Sequence, residues 1–162
     1  MKNTIRALTS TDEPFLWEML YQAIFVPEGK DAPPREVVRS PELARYVQGW
    51  GREGDCGFLS YDATTGQPVG AVWFRQFVFS ERGYGYIDDA TPELSIAVLP
   101  EYRGCGIGTQ LLSHLFASDC GRLPVSLSVS VGSKGIKLYE HFGFEVVSKC
   151  AESITMKRAK AS

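Results

Sequence analysis

Along residues 124–131 the chain alternates. Val125, Leu127, Val129 and Val131 fall on one side and Ser126, Ser128 and Ser130 on the other, which is the period of a half-buried β-strand. Residues 3–8 fit a short first strand. Ser10 and Glu13 are spaced as a capping box and open a first helix, in which Phe15, Leu16, Met19, Leu20, Ala23 and Ile24 recur at helical spacing. Pro27, Gly29, Pro33 and Pro34 break that pattern into a loop, and a second helical stretch is expected over 35–50, interrupted at Pro41. Residues 56–62 and 67–79 read as two strands of a hairpin joined near Thr65-Gly66, 80–91 as a loop, and 93–99 as a fourth strand. A helix carrying Ile107, Leu111, Leu112, Leu115 and Phe116 on one face follows, with Gly121 as its expected end. A short helix over 133–142, closed by Gly143, precedes strands near 144–149 and 152–158. The order βααβββαβαββ implies an α/β fold with a mixed sheet and helices on both faces. There is no internal repeat, low-complexity segment or linker, so the expectation is a single domain over 1–162.

A chain of 162 residues can bury a substantial core, since a domain near this size hides roughly 68–70% of its unfolded surface. The net charge of −2, without a basic stripe, argues against nucleic acid as the main partner. The start, Met1 to Arg6, has no apolar run of the kind a secretory signal needs. The apolar stretch from Phe15 to Val26 is interrupted by Glu18 and Gln22 and is too short to span a membrane. Cys56, Cys105, Cys120 and Cys150 form no Cys-x-x-Cys pair, and only His114 and His141 could join them, so no metal is expected. Reduced thiols in a cytoplasm are the simpler reading.

The chemistry concentrates between the fourth strand and the helix after it, at Arg103-Gly104-Cys105-Gly106-Ile107-Gly108-Thr109. A glycine-rich strand-to-helix turn aims several backbone N–H groups, and the positive end of the helix dipole, at one spot suited to a phosphate. The dinucleotide fingerprint fails, because its third glycine would fall at Thr109 and the acidic residue expected about 20 positions on is missing. No P-loop spacing occurs either, which counts against a nucleotide-binding domain. Arg-Gly-x-Gly-x-Gly at this place resembles the acetyl-coenzyme A signature of the GNAT superfamily of N-acetyltransferases. Leu138-Tyr139-Glu140-His141-Phe142-Gly143-Phe144 is similar to a second element near the end of those enzymes. The resemblance spans roughly residues 67–148.

The resemblance implies a mostly antiparallel sheet of about seven strands, with strand four splayed from strand five near a β-bulge and the pantetheine arm of acetyl-CoA in the gap. It implies that the backbone of Ile96, Ala97 and Val98 pairs with pantetheine. It also places Arg103, Gly104, Cys105, Gly106, Ile107, Gly108 and Thr109 around the pyrophosphate. Glu93 is then the expected general base for an amine, the Val98 N–H a donor to the oxyanion, and Tyr139 the group beside the sulfur that could protonate the departing thiolate. Where relatives carry a pantetheine-binding asparagine this chain has Gly132, and Ser133 is the candidate to replace that contact and to cap the last helix. Gly135 allows close approach to Tyr139. Lys134 or Lys137 could reach the 3′-phosphate, although solvation is the simpler reading for both. A redox or nucleophilic Cys105 and a basic His141 are the weaker readings of those residues. The expected acceptor is a primary amine, preferably a small cationic metabolite, bound between the first two helices (Trp17, Tyr21, Phe25, Tyr46, Trp50) and the 80–91 loop (Tyr84, Tyr86, Asp88, Asp89). The alternatives are a protein N-terminus or lysine as acceptor, or a non-catalytic acyl-CoA sensor. A homodimer is compatible with the sequence.

Overall fold

A computed structural model describes residues 2–160. Seven strands form one sheet in the order β1-β2-β3-β4-β5-β7-β6. They are β1 (Asn3–Ala7), β2 (Cys56–Asp62), β3 (Pro68–Arg75), β4 (Glu93–Val98), β5 (Val125–Ser130), β6 (Glu145–Lys149) and β7 (Ser153–Arg158). Every neighbouring pair is antiparallel except β4 with β5. The mixed sheet read from the sequence is therefore the observed one.

The two-residue period of β3 divides the core. Val72 and Phe74, joined by Val69 across a register shift against β2 that breaks the period, pack with Leu94, Ile107, Leu111, Leu112 and Leu115, beneath α3 (Ile107–Ala117). Ala71 and Trp73 face the other way, onto Leu16, Met19 and Leu20 of α1 (Glu13–Gln22) and Tyr46, Val47 and Trp50 beyond the four-residue α2 (Pro41–Ala44). Arg75 at the end of β3 is buried, and its guanidinium is paired with Asp55 and bonded to the Arg45 and Gln48 carbonyls. This cross-brace holds the segment after α2 against the sheet.

Several local expectations are corrected. The capping box uses Thr9 and Asp12 rather than Ser10 and Glu13, because a 3-10 turn over Ser10–Asp12 precedes the helix. Glu13 instead accepts hydrogen bonds from the Trp50 N–H and the Trp17 indole. The 35–50 stretch is broken into a 3-10 segment (Arg35–Arg39), α2 and turns, since Pro41 removes a backbone donor in mid-run. The 67–79 strand stops at Arg75. Helix α3 ends at Ala117, and Gly121 lies in a following 3-10 turn, where an added Cβ would sit 2.4 Å from the Phe116 Cα. That glycine is there for close packing, not as a cap. Val131 is exposed and Ser126 fully buried, so the alternation in β5 does not separate solvent from core as read. Cys56 and Cys120 are joined as a disulfide, which replaces the expectation of four reduced thiols; Cys105 and Cys150 are free and exposed. No helix among the described residues is long and apolar enough to cross a membrane.

Candidate active site

The site begins as a defect in the sheet. Strands β4 and β5 share a single bridging pair, Glu93 with Ser126, with Ser126 N–H donating to the Pro92 carbonyl at 3.0 Å. Beyond that pair the strands part. The β3–β4 register is unbroken from Gly70–Val98 to Arg75–Glu93, so the splay forms here without the expected bulge. Paired residues of an antiparallel ladder alternate between those that exchange hydrogen bonds and those that do not. Leu99 N–H donates to the Val69 carbonyl at 2.8 Å, which makes Ala97 a bonded partner of Ala71 and turns the N–H and C=O groups of Ile96 and Val98 away from β3, into the gap. Ala97 thus differs from the sequence reading: its backbone faces β3 and only its small side chain borders the cleft.

At the wide end of the gap lies the glycine turn. Gly104 and Gly106 have φ of 77° and 84°, and a Cβ at either would meet nothing within 4 Å. Gly106 is the N-cap of α3 in the left-handed conformation, a cheap one for glycine alone. Among the described residues no side chain caps α3, so its first N–H groups and those of the turn are left free to bind an acceptor. The turn thus presents free N–H groups with the helix dipole behind them, an arrangement suited to an anion. Ile107 anchors it in the core, whereas Arg103, Gly104, Cys105, Gly106 and Thr109 are exposed. Gly108 lies under Leu138 and Ile96, with room for a Cβ at 3.8 Å.

Arg103 does not extend over this turn. Its Nε donates to the Val98 carbonyl at 3.1 Å, and its terminal nitrogen to the Gln22 carbonyl and side-chain oxygen, both at 3.2 Å. The guanidinium ties the end of α1 to the end of β4. Charge that the sequence assigned to the phosphate spot is engaged here instead.

A cleft of about 400 Å³ opens along the splay. Ile96, Ala97, Val98 and Arg103 form one wall, the Tyr21–Val26 segment another, and Ser133 with Tyr139 a third. Tyr21 is held by its hydroxyl donating to the Pro33 carbonyl at 2.8 Å. Tyr139 lies on α4 (Ile136–His141) with its ring against Gly135, where a Cβ would crowd it at 3.2 Å. Burial pushes its phenol up to about 12, so the hydroxyl keeps its proton throughout the neutral range. Ser133 does not cap α4; its hydroxyl accepts from the Gly135 N–H at 3.1 Å, and Gly135 is the N-cap. Lys134, Lys137 and His141 are exposed.

Glu93 stands apart from this cleft. The residue is 97% buried, and its carboxyl accepts hydrogen bonds from the Tyr46 hydroxyl and, at 3.0 Å, from the Gly85 N–H. Burial raises it from the ordinary 4.5 to about 7, and the two donors pull the other way. The loop over it is glycine-lined for a reason. A Cβ on Gly83 would fall 2.3 Å from Glu93 Oε1, and one on Gly85 would fall 2.7 Å from the Leu127 carbonyl carbon.

The acceptor wall is only partly as read. Tyr21 and Phe25 border the cleft, while Tyr46, Trp50 and Trp17 belong to the core beneath α1. Tyr84, with Ser80, Arg82 and Gly83 at the start of the 80–91 loop, lines a separate hollow with Glu42 and Arg45. Asp88 and Asp89 are tied into their own loop, Asp88 by the Ala90 N–H and the Thr91 hydroxyl, which lowers its pKa, and Asp89 by the Tyr86 hydroxyl. The contact between Tyr46 and Glu93 was missed. The sequence signal was the spacing Gly83-Tyr84-Gly85-Tyr86, which marks a backbone that must pass close to something.

The sequence model of the acetyltransferase (GNAT) domain matches residues 54–146. No curated protein sequence matches the chain. Solved structures share the fold. One from Corynebacterium glutamicum, described as histone acetyltransferase HPA2 and related acetyltransferase, is 18% identical over 100% of this chain and 98% of that one, with a TM-score of 0.66. A phosphinothricin acetyltransferase from Sinorhizobium meliloti in complex with AcCoA is 20% identical over 99% and 90%, with a TM-score of 0.65. A ribosomal-protein-alanine N-acetyltransferase from Brucella melitensis is 21% identical over 96% and 99%, with a TM-score of 0.63.

Proposed function

This chain belongs to the GNAT acetyltransferase family, and we propose that it transfers the acetyl group of acetyl-CoA directly to a small primary amine. The observation that carries this reading is the pairing of β4 with β5 at one position only, beside an uncapped glycine turn. The splay leaves the N–H and C=O of Ile96 and the N–H of Val98 for an amide-bearing arm, the Val98 carbonyl being taken by Arg103, and the turn from Gly104 to Thr109 leaves N–H groups for its pyrophosphate. Acetyl-CoA supplies an activated thioester; the chain supplies position and proton handling. In this scheme the Val98 N–H points at the developing oxyanion, a donor worth about 3 kcal/mol. Tyr139 hands its proton to the leaving sulfur. Glu93 receives the proton of the amine. It lies three residues from Ile96, about 10 Å along an extended strand, so it acts through water rather than by contact.

The acceptor we favour is cationic before it reacts. With Asp88 and Asp89 engaged in their own loop and the Tyr21 ring already carrying the Arg35 guanidinium at 4.5 Å, its attraction falls to the ring of Phe25 in the cleft wall. A sensor that binds acyl-CoA without turnover is the second reading, favoured by the covered carboxyl of Glu93.

Gly106→Asp tests the cofactor assignment. At φ 84° with open space around it, the substitution adds a modest backbone strain and a negative charge while leaving the core untouched. Affinity for acetyl-CoA should fall at least about tenfold, or 1.4 kcal/mol. Calorimetry that finds unchanged affinity in the folded variant would remove the turn from the cofactor site. Tyr139→Phe is expected to retain that affinity and to lower turnover by about tenfold or more, because only the hydroxyl is lost. Wild-type turnover would leave Tyr139 as a packing residue.

A further inference from the structure

Tyr46 is held from three directions. Its ring meets Phe77 edge-on at a centroid distance of 5.1 Å, its carbonyl accepts from the Trp73 indole at 3.1 Å, and its hydroxyl accepts from the Tyr84 N–H at 2.7 Å. The hydroxyl proton is then directed to Glu93 Oε2. We propose that Tyr46 is a positioning residue for Glu93, fixing the carboxylate in one orientation and stabilising its charge through a hydrogen bond delivered across 47 residues of sequence. The inference rests on the reading of Glu93 as the base.

The surroundings leave Tyr46 as the side chain that does this. From β3, Arg75 stands opposite Glu93, but its guanidinium is paired with Asp55 and bonded to the Arg45 and Gln48 carbonyls. From β5, Ser126 stands opposite on the other side, and its buried hydroxyl has no partner among the described residues. From the 83–85 loop come backbone N–H groups only, one to Glu93 and one to Tyr46 itself. A hydrogen bond donated to a carboxylate favours its ionised form, which opposes the effect of burial at Glu93. Tyr46 therefore sets the pH at which the base becomes available.

The test is the pH dependence of kcat/KM. Tyr46→Phe keeps the ring and its contact with Phe77 and removes both the donor to Glu93 and the acceptor of the Tyr84 N–H. The acid limb should move up by about one pH unit or more, with the rate recovering at high pH and acetyl-CoA affinity unchanged. A variant that only loosened the fold would lower the rate at all pH values. If Glu93→Gln abolishes the limb and Tyr46→Phe leaves it in place, Tyr46 has no such role and the base survives. If Glu93→Gln leaves the limb in place, the base reading fails and takes this proposal with it. In the unmutated protein the Tyr46 hydroxyl proton should appear as an exchange-protected NMR signal close in space to the Glu93 γ-protons. Its absence would overturn the proposal even where Tyr46→Phe does not fold.

Discussion

Glu93→Gln is expected to lower kcat/KM by about 10²-fold at pH 7–8, within the range that general bases contribute. The substitution keeps the shape and the partners' positions but removes the basic site. With the carboxyl raised to about 7 by burial, the wild-type rate should climb through that pH and flatten above it, and the variant should lack this limb. The deficit should shrink at high pH, where more amine is already free. Stability should move the opposite way. A carboxyl whose folded pKa lies above its unfolded value favours folding fully only below about 4.5, and that contribution is lost as pH rises through 7. Glu93→Gln should therefore remove a pH-dependent loss of stability across the 4.5–7 window, measurable by urea unfolding at several pH values. A pH–rate profile that overlays the wild type would pass the base role to a water chain.

Reduction of the Cys56–Cys120 bond is expected to cost about 4 kcal/mol of stability. The bond closes a loop of 64 residues and ties the start of β2 to the turn after α3. In the chain-entropy account a closure of that length lies between the values for short and very long loops. Urea unfolding with and without reductant measures it, and Cys56→Ser should reproduce the reduced curve. Coincident transitions in both conditions would mean that the two thiols are unbonded in solution.

Much of the fold was legible because its signals are local. Alternation in 124–131, the turn at Thr65-Gly66 and the apolar face of 107–116 each specify one element, and the glycine run falls between β4 and α3 as the sequence indicates. The misreadings lie where tertiary contacts override the local pattern. Arg103 reads as a phosphate ligand until α1 brings Gln22 beside it. Gly121 reads as a cap until Phe116 is seen against it. Cys56 with Cys120, and Tyr46 with Glu93, are pairs distant in sequence that only the sheet and its covering segments bring together. Direction was also hidden. The stretch from Ile96 to Val98 was marked as a backbone site, but which of its amides face the gap follows only from the Leu99–Val69 hydrogen bond.

We propose that the splay and the glycine turn serve acetyl transfer to an amine. The most direct measurement follows release of free thiol from acetyl-CoA across a panel of primary amines, with mass spectrometry of each amine. Enzyme-dependent thiol release is expected with at least one small amine, together with a matching N-acetylated product. Tight acetyl-CoA binding with no thiol release across the panel would contradict it and leave a binding domain in its place.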